Sequence, residues 1–166
     1  MKLNYFNKIF YLNFSIFCFI FFLDRASKIF VIDFHEKNFG NQLYSSAYLN
    51  VNLVWNEGVA FGLLSFKESH LYNFLTVFIV VVIFIIFIMV LKNDGLKRLG
   101  LLFIMGGAFG NLFDRIFYNA VPDFLDLHIG NFHWFIFNIA DIFITIGVVF
   151  MILMEYLGNN EKIKNE

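Results

Sequence analysis

GGAFGNLFDRIFYNAVPDFLDLHIGNFHWFIFNIAD, running from Gly106 to Asp141, sets Asn111, Asp114, Arg115, Asp123, Asp126, Asn138 and Asp141 between two segments apolar enough to lie in lipid. An ionisable side chain at membrane depth costs roughly 3 kcal/mol even on the most lenient scales, so such groups are seldom kept for packing. The chemistry is expected here.

Outward from this stretch the chain is built for a bilayer. Apolar runs cover about 99–117 and 135–157 on its two sides; a further run at about 71–91 has no charge, and another covers about 10–32. Each is long enough to cross the roughly 30 Å hydrocarbon layer as a helix. With 60% hydrophobic and 15% charged residues, against about a quarter charged in soluble domains, the 166 residues read as a single all-α membrane domain with four transmembrane helices. A net charge of −1 gives no reason to expect nucleic acid as a partner. The lone Cys18 excludes an internal disulfide, and the Ser-Ile-Phe before it lacks the small residue that precedes a lipid-modified cysteine.

The basic turn Lys92-Asn-Asp-Gly-Leu-Lys-Arg98, the N-terminal Lys2 and Lys8, and Lys162 and Lys164 in the tail put both ends and this turn on the cytoplasmic side, by the positive-inside rule. Residues 33–70 and about 118–134 are then outside. Within the first loop, Tyr48-Leu-Asn-Val-Asn-Leu-Val-Trp55 alternates as a half-buried strand does, which predicts a small extracytoplasmic β-rich region resting on the bundle.

Topology gives each polar residue a depth. Asp24 lies eight residues before Ile32 and Asp141 seven after Trp134, roughly 12 and 10 Å below the outer ends of their helices, and Asn111, Asp114 and Arg115 occupy the last turns of the third. Three helices thus aim polar groups at one level in the outer half of the membrane. Asp24 and Lys28, four apart with the acid first, suit a structural ion pair. Asn111 and Asn138 would serve as interhelical hydrogen-bond glue, but that explains an Asp poorly. Gly106, Gly107 and Gly110 suit close helix packing. Asp126, His128 and His133 carry metal-ligating groups, yet their loop position and irregular spacing point away from a metal, and none is expected. Paired aspartates near the outer face can share a proton, activate a water and protonate a leaving amine without metal, cofactor or nucleophilic side chain. A proton relay through Asp24, Asp114 and Asp141, as in a small proton-coupled transporter, is the alternative, but it would spread ionisable groups across the membrane, and here the inner halves are blank.

Five motifs in order resemble the lipoprotein signal peptidase, or signal peptidase II, family: Asp24-Arg-Ala-Ser-Lys28, Asn56-Glu-Gly-Val-Ala-Phe-Gly62, Gly106-Gly-Ala-Phe-Gly-Asn-Leu-Phe-Asp-Arg115, Val121-Pro-Asp-Phe124 and Asn138-Ile-Ala-Asp141. They extend over essentially the whole chain. The resemblance implies a bacterial inner-membrane aspartic endopeptidase that cuts diacylglyceryl-modified prolipoproteins immediately before the lipidated cysteine. It implies Asp123 and Asp141 as the catalytic pair, with Asn56, Gly58, Asn111, Arg115 and Asn138 lining or supporting the substrate site and Asn56–Gly62 covering it from outside. It further implies inhibition by globomycin-type cyclic peptides; lipid-modified prolipoproteins and membrane lipids are the expected partners, and a monomer the expected state. Spacing alone does not choose Asp123 over Asp114. The physical preference is that Arg115 adjoins Asp114 and would keep it ionised as a supporting residue, whereas Asp123, in the loop beyond the third helix, is free to approach Asp141. Two departures from the family pattern are Arg25, commonly Gln, which adds a charge beside Asp24 and would disturb the local ion pairing but not catalysis, and Pro122, commonly aliphatic, which would stiffen the approach of Asp123.

Overall fold

In a computed structural model the described residues are 2–58 and 69–164, with side chains described for 8–58 and 72–157. Helix α1 (Lys2–Lys37) leads through strands β1 (Tyr44–Ser45) and β2 (Leu49–Asn56) to α2 (Ser69–Lys92) and α3 (Gly95–Tyr118), then β3 (Val121–Ile129), β4 (Phe132–Phe137) and α4 (Ile139–Lys164). Val59 to Gly62, the second half of the Asn56–Gly62 motif, lie outside the described residues.

The described residues are mostly helical, with one small antiparallel sheet in the order β1-β2-β3-β4. Among the described residues three helices are long and apolar enough to cross a membrane: Tyr72–Lys92, Gly95–Tyr118 and Ile139–Leu157. Two departures from the sequence reading bear on the site. The expected span at about 135–157 begins only at Ile139, because Phe132–Phe137 pairs with β3 across the two-residue turn Gly130-Asn131. Gly130 takes φ +59° there, the conformation a tight hairpin turn demands. The expected outer loop at 118–134 is accordingly this hairpin, and Asp123 stands on a strand.

Asn119, at φ 55° after the last turn of α3, reverses the chain into β3. The sheet is seated on the end of α1 through Val31, Leu53 and Phe124. Helix α3 approaches both α4 and α1 closely at small residues. An added Cβ on Gly107 would collide with the backbone carbonyl of Ala140, one on Gly106 would lie 2.9 Å from the Ile20 side chain, and one on Gly147 would lie 2.6 Å from the Gly100 carbonyl. The glycines are therefore packing residues, as their spacing suggested.

Candidate active site

The site forms where the second half of α1, the end of α3, the start of α4 and strands β2 and β3 converge. Its foundation is a buried ionic cluster. Lys28, fully enclosed, donates all three of its protons: to Asp24 Oδ2 at 2.9 Å, Asp114 Oδ2 at 2.7 Å and Asn111 Oδ1 at 2.9 Å. Asp24 and Asp114 are equally enclosed. Arg25 Nη2 adds a second cation, 2.6 Å from Asp114 Oδ1 and 3.5 Å from Asp24 Oδ2, with its guanidinium over the Phe113 ring. The Asp114 contact is an ion pair without hydrogen-bond alignment. Two acids and two bases leave the cluster neutral, which is what lets it exist out of water.

This revises two expectations. The cations that hold Asp114 are Lys28 and Arg25, not its neighbour Arg115, whose Nη2 donates to the Gly58 carbonyl and Nη1 to that of Asn111. Adjacent helical residues point about 100° apart, so Asp114 and Arg115 face different partners. Arg25, flagged as a departure, completes the cluster rather than disturbing it. Asp24 and Asp114 are also fixed by cations, which deprives the relay reading of two of its three stations.

From the cluster a chain of amides leads to two carboxyls. With its Oδ1 held by Lys28, Asn111 turns Nδ2 to Asp141 Oδ1 at 2.8 Å. Asn138 donates from Nδ2 to Asp123 Oδ1 at 2.6 Å and to Asn111 Oδ1 at 3.2 Å. It is also the residue before α4, and it exchanges bonds with Asp141 as a capping box does: Asp141 N–H to Asn138 Oδ1 at 3.2 Å, Asn138 N–H to Asp141 Oδ2 at 3.1 Å. The side chain of Asp141 is thus tied into the first turn of its own helix. Asp24 Oδ1 receives the Ala140 N–H at 3.1 Å and fastens that turn to α1.

Asp123 comes from the opposite direction. On β3 it faces Val54 of β2, and Asn56 at the end of β2 donates from Nδ2 to Asp123 Oδ2 at 2.9 Å. The Gly58 N–H in turn holds Asn56 Oδ1 at 3.0 Å, and Arg115 holds the Gly58 carbonyl. Asp123 is only 4% exposed. Burial, and next the charge of Asp141, push its carboxyl up to about 6, with the Asn56 and Asn138 hydrogen bonds opposing the rise. Expected to swing in a loop, it is instead clamped by two amides. Every residue that the sequence singled out for the site and that is described here falls in this network; Pro122 lies beside it, paired with Trp55.

Beside Asp141 a cavity of about 610 Å³ opens between α2, α3 and α4. Asn111, Arg115 and Asp141 form its polar end, and Phe78, Ile83 and Ile142 are among the apolar side chains along the rest. A cleft of this size, mostly apolar with a few convergent polar groups, suits an amphiphile whose polar part reaches the carboxyls. What sequence reasoning missed lies on the hairpin: Asp126, His128 and His133 are not scattered in a loop but grouped, with a possible ligand atom from each within 4.8 Å of the others.

The chain is similar to known proteins over most of its length. Residues 16–157 match the family described as signal peptidase (SPase) II. The chain is 49% identical over 155 residues to a lipoprotein signal peptidase of Pelagibacter ubique, covering 93% of each. It is 37% identical over 151 residues to that of Aquifex aeolicus, covering 87% of this chain and 90% of the relative. A solved bacterial membrane enzyme, 27% identical, superposes with a TM-score of 0.70 over 91% of both chains.

Proposed function

Because the chain belongs to the signal peptidase II family, we propose that it is an aspartic endopeptidase in which Asp123 and Asp141 cut the signal peptide from diacylglyceryl-modified prolipoproteins. The observation that carries the reading is Asn138, whose one side chain and backbone touch both carboxyls, bringing an acid on a strand and an acid on a helix to a common partner. Two carboxyls so gathered out of water hold one proton between them. The ionised member takes a proton from water as its oxygen attacks the scissile carbonyl carbon. The protonated member gives its proton to the nitrogen as the C–N bond breaks, leaving a carboxyl on the signal peptide and a free amine on the lipidated cysteine.

The acyl chains of the substrate lie along the apolar length of the 610 Å³ cavity, and Arg115 and Asn111 at its polar end orient the backbone to be cut. Asp24, Lys28 and Asp114 support the site from behind. Four helices cross the membrane in this reading. The charges of α1 qualify no obstacle, since Asp24, Arg25 and Lys28 are enclosed while Phe19, Phe22, Ile29 and Phe30 face outward. Both ends are cytoplasmic, the sheet and the carboxyl pair lie toward the outer face of a bacterial inner membrane, and the enzyme works as a monomer that globomycin-type peptides inhibit.

The test is cleavage of a diacylglyceryl-modified prolipoprotein by purified protein in detergent. Asp123→Asn and Asp141→Asn keep shape and remove a carboxylate; each is expected to remain folded and lose cleavage, while Asp114→Asn retains some. A folded Asp123→Asn that cleaves as fast as the unsubstituted enzyme would overturn the assignment.

A further inference from the structure

We propose that Asp126, His128 and His133 form a binding site for one divalent transition-metal ion, with zinc the best fit, that fastens β3 to β4. Asp126 and His128 are two apart on β3, and His128 pairs directly with His133 on β4. The two imidazoles stack at 5.1 Å between centroids with 20° between planes. His133 Nδ1 lies 2.8 and 2.9 Å from the two carboxylate oxygens of Asp126. Two neutral-imidazole donors and one carboxylate are the ligand set that borderline ions such as zinc, nickel and copper take, whereas magnesium and calcium want oxygens.

The spacing fits. Ligands about 2.0–2.1 Å from a tetrahedral zinc stand about 3.4 Å from one another. The three groups here bracket that separation, from 2.8 Å for the closest pair to within 4.8 Å for the set. His133 has a side chain 52% exposed, so its ring can turn to close the gap without moving backbone, and solvent reaches the site past it. The fourth ligand is then water. A second observation points the same way: Nδ1 of His128 is shut off from solvent yet has no hydrogen-bond partner among the described residues. An ordinary carboxylate–histidine pair accounts for Asp126 and His133; it leaves the stacked second imidazole without a role.

Asp123 precedes Asp126 by three residues on β3, and β4 runs directly into Asn138. An ion joining the two strands therefore stiffens the hairpin whose ends carry Asp123 and its donor. Binding itself does not depend on the peptidase reading, so the two can fail separately.

The experiment uses the full, untagged chain in detergent, stripped with a chelator and freed of it, with zinc chloride as the probe. Calorimetric titration is expected to show one saturable equivalent, and the unfolding temperature to rise with zinc but not with the same concentration of magnesium or calcium. His133→Ala loses the hydrogen bond to Asp126, so it should unfold somewhat below metal-free wild type, gain no stability from zinc, and bind zinc at least about tenfold more weakly. His35→Ala combined with His70→Ala, which removes the other two histidines, should bind as wild type does. No saturable zinc binding, binding undiminished in His133→Ala, or binding lost in the His35/His70 variant would each overturn the site.

Discussion

Replacing Lys28 with Met tests whether the buried cluster is the foundation of the site. Methionine keeps much of the stem's volume and removes the ammonium, leaving Asp24 and Asp114 fully enclosed with Arg25 as their only cation among the described residues. Taking one partner from a buried ion pair costs about 3–5 kcal/mol, because the remaining charge stays buried without compensation. Two enclosed carboxylates depend on Lys28, so a loss at the upper end of that range, about 5 kcal/mol, is expected. If the cost arises from the stranded charge, removing that charge should restore part of it. The double variant Lys28→Met/Asp114→Asn has one acid and Arg25, again neutral, and should be less destabilised than the sum of the two single variants by about 2 kcal/mol or more, a coupling typical of groups in one network. Unfolding of the four proteins by denaturing detergent in mixed micelles would measure the cycle. Additivity within about 0.5 kcal/mol, the level found for independent sites, would refute the view that Lys28 holds Asp114 by charge.

Two further outcomes follow from the geometry. The carboxyl of Asp123 is raised from 3.8 to about 6, so between those pH values the folded protein binds more protons than the unfolded chain and stability falls as pH rises, by roughly 3 kcal/mol for a shift of about two units. Asp123→Asn lacks this contribution, so its unfolding temperature should gain on that of wild type from about pH 4 to pH 6.5; a difference that is constant or shrinks would contradict the burial of Asp123 as a titrating group. Gly107→Ala would drive a methyl into the backbone carbonyl of Ala140, one residue from Asp141, and backbone cannot turn aside as a side chain can. A loss of about 1–3 kcal/mol, usual for overpacking, and at least a tenfold fall in cleavage are expected, measured by thermal unfolding and the prolipoprotein assay.

Much of this was legible in the sequence. Helix rise per residue placed Asp24, Asn111 and Asp141 at one depth, and those groups do meet, through Lys28 and Ala140 N–H. The alternation of Tyr48 to Trp55 gave β2 because period-two patterning needs only local sequence. The partner of Asp114 was not legible: Arg115 is nearest along the chain, but Lys28 and Arg25 come from another helix, and only helix packing decides which cations arrive. The strand character of Phe132–Phe137 was hidden for a different reason. Phenylalanine in quantity suits a lipid-facing helix and a sheet equally, and the hairpin turn that settles the matter is two residues long. Missing the hairpin also concealed the grouping of Asp126, His128 and His133, since register across strands, not spacing along one, brings them together.

The side chain of Asn138 has no idle atom. Its nitrogen serves Asp123 and Asn111, and its oxygen receives the Asp141 N–H. Aspartate would offer the oxygen but nothing to give Asp123; serine has a single hydroxyl hydrogen and too short a reach; glutamine would move both functions outward by a methylene. No other residue type can begin this helix and hold the acid on the neighbouring strand at the same time. Substitution here should therefore never separate folding from activity: the turn that loses its cap is the turn that carries Asp141, and every variant at this position is expected to fail on both counts together.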